Sequence, residues 1–291
     1  MPAGGRPTVR SRRLGTTLRR YRQVAGLDQP QAAEIIASSQ TRVSRIESGH
    51  VTARPLEIRA MLKAYGVEDP EVRPRLEDLA KSANRRGWWL EHAAHLRADY
   101  LDHISLEDDA TYIREWQPTL IPGLLQVPGY AEAVITSGPG FIDPAKMPQL
   151  VKVRIDRQEK IAEREGSADY TAIIWEPAII HPIVKPEVHQ QQLTHILEVS
   201  RRQNVTLQVL PLAVGVTATM PSAFSCFSFE AEPVVEAVTL DNLRGSSILE
   251  GAEDLTAYTV AFDQLRSAAM SPEVSRRVIR DAIQTSKDAT R

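Results

Sequence analysis

Apolar side chains recur at spacings of three and four from Arg12 onward, where Leu14, Leu18, Tyr21 and Val24 share one helical face and Gly26 stops the segment. Three further short helices are expected before Gly66. Asp28 is placed to cap the second, with Gln29 and Pro30 in its first turn and Ala32, Ala33 and Ile36 along its inner side. A turn at Ala37 and Ser38 leads to Ser39, which caps a third helix from Gln40 to Ser48. Asp69 and Pro70 then read as the N-cap and first position of a charged helix to about Ala83, taken as a connector.

The texture changes after Gly87. Apolar runs of strand length lie at 112–117, 170–175, 205–210, 224–229 and 234–240, and helical patterns lie near 128–137, 144–164, 187–202, 252–269 and 271–285. Strands mixed with helices predict an α+β, or mixed α/β, second domain. The chain therefore reads as multidomain. Residues 1–11, rich in Pro, Gly and Arg, form a disordered arm; 12–66 form an all-α helix-turn-helix domain; 67–87 form the helical connector; and 88–291 form the α+β domain with a regulatory or partner-binding role.

In the third helix Val43 and Ile46 face inward, while Gln40, Thr41, Ser44 and Arg45 face outward. The N-terminal part of a recognition helix is what enters the major groove. Glutamine can pair in two places with adenine, arginine with guanine, and a threonine methyl can pack on the thymine methyl, so these four are the candidate base readers. Gln29, at a helix N-terminus whose free N–H groups favour an anion, is a candidate phosphate contact, as are Arg42, Arg12 and Arg13.

Charge sharpens that picture. The net charge of -2 conceals a split, because residues 1–66 hold twelve arginines and lysines against four acids. A basic head on an acidic body suits a polyanion such as double-stranded DNA, although a solvated basic face would give the same count. No apolar run approaches the roughly 20 residues of a membrane span, and the N-terminal MPAGGRPTVR has no apolar stretch to act as a signal, so a cytoplasmic protein is expected. The lone Cys226, inside AFSCFSF, reads as a small core residue or a reactive thiol, and no disulfide framework is possible. The histidines show no HExxH spacing, and His92, His95 and Asp99 share a face without a further ligand, so no metal is expected. Nor is a cofactor, since no phosphate-binding glycine loop is present. Glu107 and Glu176 are isolated, no serine sits in a GxSxG elbow, and an enzyme is not expected.

The segment LRRYRQVAGLDQPQAAEIIASSQTRVSRIESG resembles the Cro and lambda-repressor type of helix-turn-helix, also called the xenobiotic-response-element (XRE) family. The resemblance implies an ion pair between an arginine late in the first helix and a glutamate near the end of the recognition helix, here Arg22 and Glu47. Where that family usually has glycine in the turn, this chain has Ala37, at a cost of about 1–2 kcal/mol if the residue is left-handed. Further along, Trp88-Trp89, Leu106-Glu107 with Ala110, the PGLLQ motif beginning at Pro122 with Tyr130-Ala131, Arg154 with Arg157-Gln158, the run 205–211 and the helices from Asp254 resemble WhiJ-type regulators of actinobacteria. That resemblance implies a developmental or antibiotic-production regulator, often encoded beside a very small partner protein in an antitoxin-like arrangement.

From the residues themselves, Pro122-Gly123 followed by two leucines reads either as a tight turn feeding a buried element or as the rim of a pocket. In the second reading Leu124, Gln126 and Tyr130 form the lip, and Arg154 and Gln158, four apart on one helix face, are polar anchors. Trp88 and Trp89 are core residues, an anchor between the domains or a dimer surface. The expected mechanism is a homodimer that places two basic heads in successive major grooves. Its alternatives are an antitoxin-like protein that binds a small partner and autoregulates, and a sensor in which a small molecule between the domains shifts DNA affinity.

Overall fold

The computed structural model describes residues 7–83, 87–137, 144–163, 168–219, 222–229, 234–242 and 245–289. The chain divides into two compact units, Met1–Leu90 and Glu91–Arg291. Residues 1–6 of the expected arm lie outside the described residues.

The first unit is helical: α1 (Val9–Val24), α2 (Gln29–Ile35), α3 (Gln40–Glu47), α4 (Pro55–Ala64) and α5 (Val72–Ala83). Helix α1 starts inside the stretch expected to be disordered. The Thr8 side chain accepts from the Ser11 backbone N–H, and Val9 is buried, so an apolar contact and a cap extend the helix back past Arg12. Nor are residues 67–87 a free connector. Val72, Leu76 and Ala80 of α5 enter the core built by Leu14, Leu18, Val43, Ile46, Ile58 and Leu62. An ion pair from Arg59 Nε to Glu77 Oε1 at 2.7 Å joins α4 to α5. Trp89 is buried in this unit, with the Arg10 guanidinium 5.0 Å over its ring and Trp88 packed edge-on against it.

The second unit is built on a six-stranded mixed sheet of order β3-β2-β1-β4-β5-β6. Its strands are β1 (Tyr112–Gln117), β2 (Asp169–Trp175), β3 (Val205–Leu210), β4 (Phe224–Ser228), β5 (Ala237–Asn242) and β6 (Gly245–Leu249). Strands β1, β2 and β3 are parallel and buried along most of their length, as strands covered on both sides must be, although β1 buries Arg114, Glu115 and Gln117 among its apolar residues. Strands β4, β5 and β6 add antiparallel on the other side of β1. Helix α6 (Ala98–Asp109) precedes β1; α7 (Pro128–Thr136) and α8 (Met147–Glu163) cross to β2; α9 (Pro177–Ile180) and α10 (Pro186–Val199) cross to β3; α11 (Ala252–Ala268) and α12 (Pro272–Ala289) close the chain. This is the α+β architecture expected, with α6 and β6 as elements the sequence pattern did not mark.

Strand alternation divides the core in two. Trp116, Ile173, Phe224, Cys226 and Val238 face α11 and pack with its Phe262 and Leu265. Burial pushes the Cys226 thiol up to about 12, so the sulfur sits in the core as a neutral apolar group. Ile113, Glu115 and Gln117 of β1 point to the opposite face, where α6 brings His103 edge-on to Phe227 and into hydrogen-bonding contact with Thr239. At the β3 margin, Val209 N–H donates to Ser275 Oγ at 2.9 Å, and Met270 N–H donates to the Val209 carbonyl at 2.9 Å.

Candidate nucleic-acid interface

Helices α2 and α3 are fixed by caps at every end that matters. Asp28 Oδ1 accepts from Gln31 N–H at 2.8 Å and Gln31 Oε1 accepts from Asp28 N–H at 2.8 Å, a reciprocal capping box. Ser39 Oγ accepts from Arg42 N–H and starts α3. Between the helices Ala37 has φ 48° and is the one non-glycine residue with positive φ among the described residues. The geometry is that of a left-handed helix stop, with Ala37 N–H donating to the Glu34 carbonyl and Ser38 N–H to the Ala33 carbonyl.

Val43 and Ile46 are fully buried and seat α3 on α1 and α2. Close approach of α3 to α1 depends on Gly15: a Cβ there would lie 2.4 Å from the Ile46 carbonyl oxygen and 2.6 Å from that of Glu47. Beside this contact Arg22 donates from Nε to Glu47 Oε1 at 2.6 Å, from Nη2 to Glu47 Oε2 at 3.0 Å, and from Nη1 to the Leu27 carbonyl at 2.6 Å. That hydrogen bonding to Glu47 outweighs burial and raises the Arg22 pKa. Tyr65 packs in the same core, where burial lifts its phenol to about 12.

With its inner face locked, α3 presents Gln40, Thr41, Ser44 and Arg45 outward, all exposed and with no side-chain hydrogen bond among the described residues. The four residues expected on phosphates are placed differently. Gln29 is half-buried and donates from Nε2 to Glu47 Oε2 at 3.0 Å, so its amide braces the ion pair instead of projecting. Arg42 forms a two-point pair with Glu57, Nε to Oε1 and Nη2 to Oε2 both at 2.9 Å, and so ties α3 to α4. Burial raises the Glu57 pKa, but Arg42 and the Arg54 N–H outweigh it and the net shift is downward. Arg12 is half-buried and donates to the Pro7 carbonyl at 2.8 Å, and Arg13 is likewise half-buried. Exposed cations on this unit include Arg19 and Arg20 on α1, Arg45 on α3 and Arg54 at the start of α4, with Arg59 and Lys63 on α4 and Arg73 and Lys81 on α5. The periodicity of α1 already marked Arg19 and Arg20 as outward.

In the second unit the candidate residues converge on the loop after β1, mostly as structural ties. Arg154 donates to Gln126 Oε1 at 2.8 Å, Gln126 Nε2 donates to the Ile121 carbonyl at 2.7 Å, and Gln158 Nε2 donates to the carbonyls of Gly123 and Gln126 at 3.0 and 2.8 Å. Tyr130 is fully buried and its hydroxyl accepts from Ile121 N–H, so it is core and not the lip of a pocket; Leu124 is half-buried. Gln192 of α10 completes the staple by accepting from Val127 N–H at 2.8 Å and donating to the Leu125 carbonyl at 2.6 Å. Of the expected pocket residues, Gln126 and Arg154 do line a cavity of about 610 Å³, together with Tyr100, His103, Glu115, Gln117, Arg157, Ser225 and Ser246. Beside it Glu107 receives Arg157 Nε at 2.7 Å, a second bond from Arg157 Nη2, and a contact from His103 Nε2 at 3.0 Å. Burial alone would raise the Glu107 pKa, but Arg157 and His103 overcome it and hold the carboxyl at about 2.

A capped helix pair whose second member offers unengaged polar side chains defines a helix-turn-helix DNA-binding regulator, and residues 13–76 match the family model for a helix-turn-helix domain. Residues 100–281, more than half of the chain, match the domain of unknown function DUF5753, and the chain belongs to that family. No curated protein and no solved structure matches it. Among the described residues no helix is long and apolar enough to cross a membrane.

Proposed function

We propose that the protein is a sequence-specific transcriptional regulator of the Cro and lambda-repressor type, in which Gln40, Thr41, Ser44 and Arg45 read base edges in the major groove. The observation that carries this reading is the two-sidedness of α3: Val43, Ile46 and the Arg22–Glu47 pair hold one side, and four side chains able to bond to bases stand free on the other. Exposed Arg19, Arg20 and Arg54 supply backbone charge in place of the engaged Arg42 and Gln29. The unit acts as a homodimer on half-sites about 34 Å apart, and the DUF5753 unit supplies regulatory input without catalysis.

The resemblance to WhiJ-type regulators supports a further element, a small protein partner encoded nearby that the second unit binds. Co-purification of the chain with the product of an adjacent short reading frame tests that element.

The base-reading proposal is tested by selecting bound duplexes from a random pool with the full chain. An enriched motif with two half-sites is expected, with affinity falling steeply as salt rises. Arg45→Ala should lose about 1–3 kcal/mol on the selected duplex and little on a scrambled one. Equal binding to selected and scrambled duplexes refutes base readout.

A further inference from the structure

Two glutamates are buried on the same face of the second unit's sheet, and the fold treats them oppositely. Glu107 is given a guanidinium and an imidazole. Glu115, equally shut from solvent, is given only neutral donors: the Tyr170 hydroxyl at 2.6 Å on Oε2 and the Gln117 amide at 3.0 Å on Oε1. No cation bonds to it among the described residues. A buried carboxylate without a counter-charge is costly, and a fold that needed only packing here would be served by an apolar side chain. Glu115 is also not sealed in the core, because it forms part of the wall of the 610 Å³ cavity, a volume within the range of small-molecule sites. The cavity lies beside the carboxyl end of β1, the strand at which the sheet changes from parallel to antiparallel pairing, where open α/β sheets place their ligands. Gln117, Ser225, Asn242 and Ser246 add hydrogen-bonding groups to the wall, and Arg154 stands there with a positive charge.

We propose that this cavity binds a small organic amine carrying hydroxyl or carboxylate groups, with its ammonium against Glu115 and its acceptor group toward Arg154. The ligand supplies the cation that Glu115 lacks and forms a charge-assisted hydrogen bond with a carboxyl that is itself buried. Arg157, already neutralised by Glu107, sets the wall without competing for the carboxyl. The proton state agrees with this. Burial raises the Glu115 pKa, the Tyr170 and Gln117 hydrogen bonds lower it, and nearby Glu107 and Asp241 raise it; the net shift is upward, and an ammonium bound there would pull it back down. The titratable groups that face the site are Tyr100, His103 and Glu107 from α6, Tyr170 from β2, Arg154 and Arg157 from α8, and Asp241 from β5. The proposal draws on the regulatory reading of this unit only for its consequence on DNA affinity, since binding itself is measured without DNA.

The test uses the full chain and matched probes: glucosamine against glucose, and tyramine against tyrosol, followed by ligand-observed NMR and calorimetry. At least one amine is expected to bind saturably where its alcohol does not, and Glu115→Gln, which keeps the shape but replaces one of the two acceptor oxygens with an N–H donor, should weaken that amine by about tenfold to a hundredfold. Calorimetry on the unmodified chain at decreasing pH is the measurement that needs no variant, and amine affinity is expected to weaken toward acid as Glu115 takes up its proton. Amines that bind no better than their alcohols overturn the proposal, as does undiminished binding to Glu115→Gln or an amine affinity that does not weaken toward acid. If the amine binds but leaves DNA affinity unchanged, the cavity assignment stands and its regulatory consequence fails.

Discussion

Replacing Gly15 with alanine separates helix propensity from helix packing, because the two act with opposite sign. In an ordinary helix interior Gly→Ala gains about 1 kcal/mol. Here the new methyl would meet the Ile46 oxygen at 2.4 Å and the Glu47 oxygen and carbon at 2.6 and 2.8 Å, all backbone atoms that cannot rotate away. Restoring ordinary contact requires the end of α3 to retreat by about 1 Å, an overpacking that typically costs about 1–3 kcal/mol in a close-packed interior. The moving segment carries Glu47, so the bonds from Arg22 and Gln29 loosen as well. A net loss of up to about 2 kcal/mol is expected, accompanied by weaker and less selective binding to the selected duplex. Urea unfolding followed by circular dichroism measures the first effect and fluorescence anisotropy the second. Thr16→Ala, one position along on the exposed side of α1, serves as the propensity control and should be neutral to slightly stabilising. A Gly15→Ala protein that gains about 1 kcal/mol and binds DNA unchanged would refute the claim that α3 is seated by that glycine.

Four further outcomes rest on the same physical reasoning. Ala37→Gly removes a left-handed strain of about 1–2 kcal/mol but adds about 0.4–1 kcal/mol of unfolded-state entropy, so thermal unfolding should show a gain of up to roughly 1.5 kcal/mol. Because the folded pKa of Glu107 is depressed to about 2 against an unfolded value near ~4.3, its contribution is complete above that unfolded value; stability should fall between about pH 5 and 2 in acid titrations of the denaturation midpoint. Arg157→Met leaves that carboxylate without its guanidinium, should cost about 3–5 kcal/mol, and should erase this acid-side slope. Cys226, buried and with its thiol near 12, should react with a thiol reagent only at the rate of unfolding, and rapid labelling of the native protein would contradict its core placement.

Local patterns carried far more of this architecture than distant pairings did. Strands β2 and β3 are largely apolar runs, and α3 announces itself through Ser39, Val43 and Ile46 within eight residues of one another, so both were legible. Helix α6 was hidden because its inner face holds His103, Ser105 and Glu107 beside Ile104 and Leu106, a mixture that periodicity reads as polar. Strand β6 (GSSIL) is half-exposed and serine-rich. Helix α5 was discounted by its charged outer face, although Val72, Leu76 and Ala80 mark an apolar stripe on the other. The engagement of Arg42 was not legible for a tertiary reason, since nothing near Arg42 in sequence reports that Glu57 returns to meet it. Likewise, the pairing of Glu107 with Arg157 spans 50 residues and that of Glu115 with Tyr170 spans 55, separations at which single-chain patterns are silent.

The bonds that Ser275 and Met270 make to Val209 have a bearing on how this protein behaves at high concentration. A parallel strand at the margin of a sheet is a template on which another chain can polymerise. Here the final helix and the residues before it occupy that template, so lateral growth is closed on one border and left to the short, serine-rich β6 on the other. Any truncation that removes α12 would therefore be felt first as precipitation rather than as loss of DNA contact.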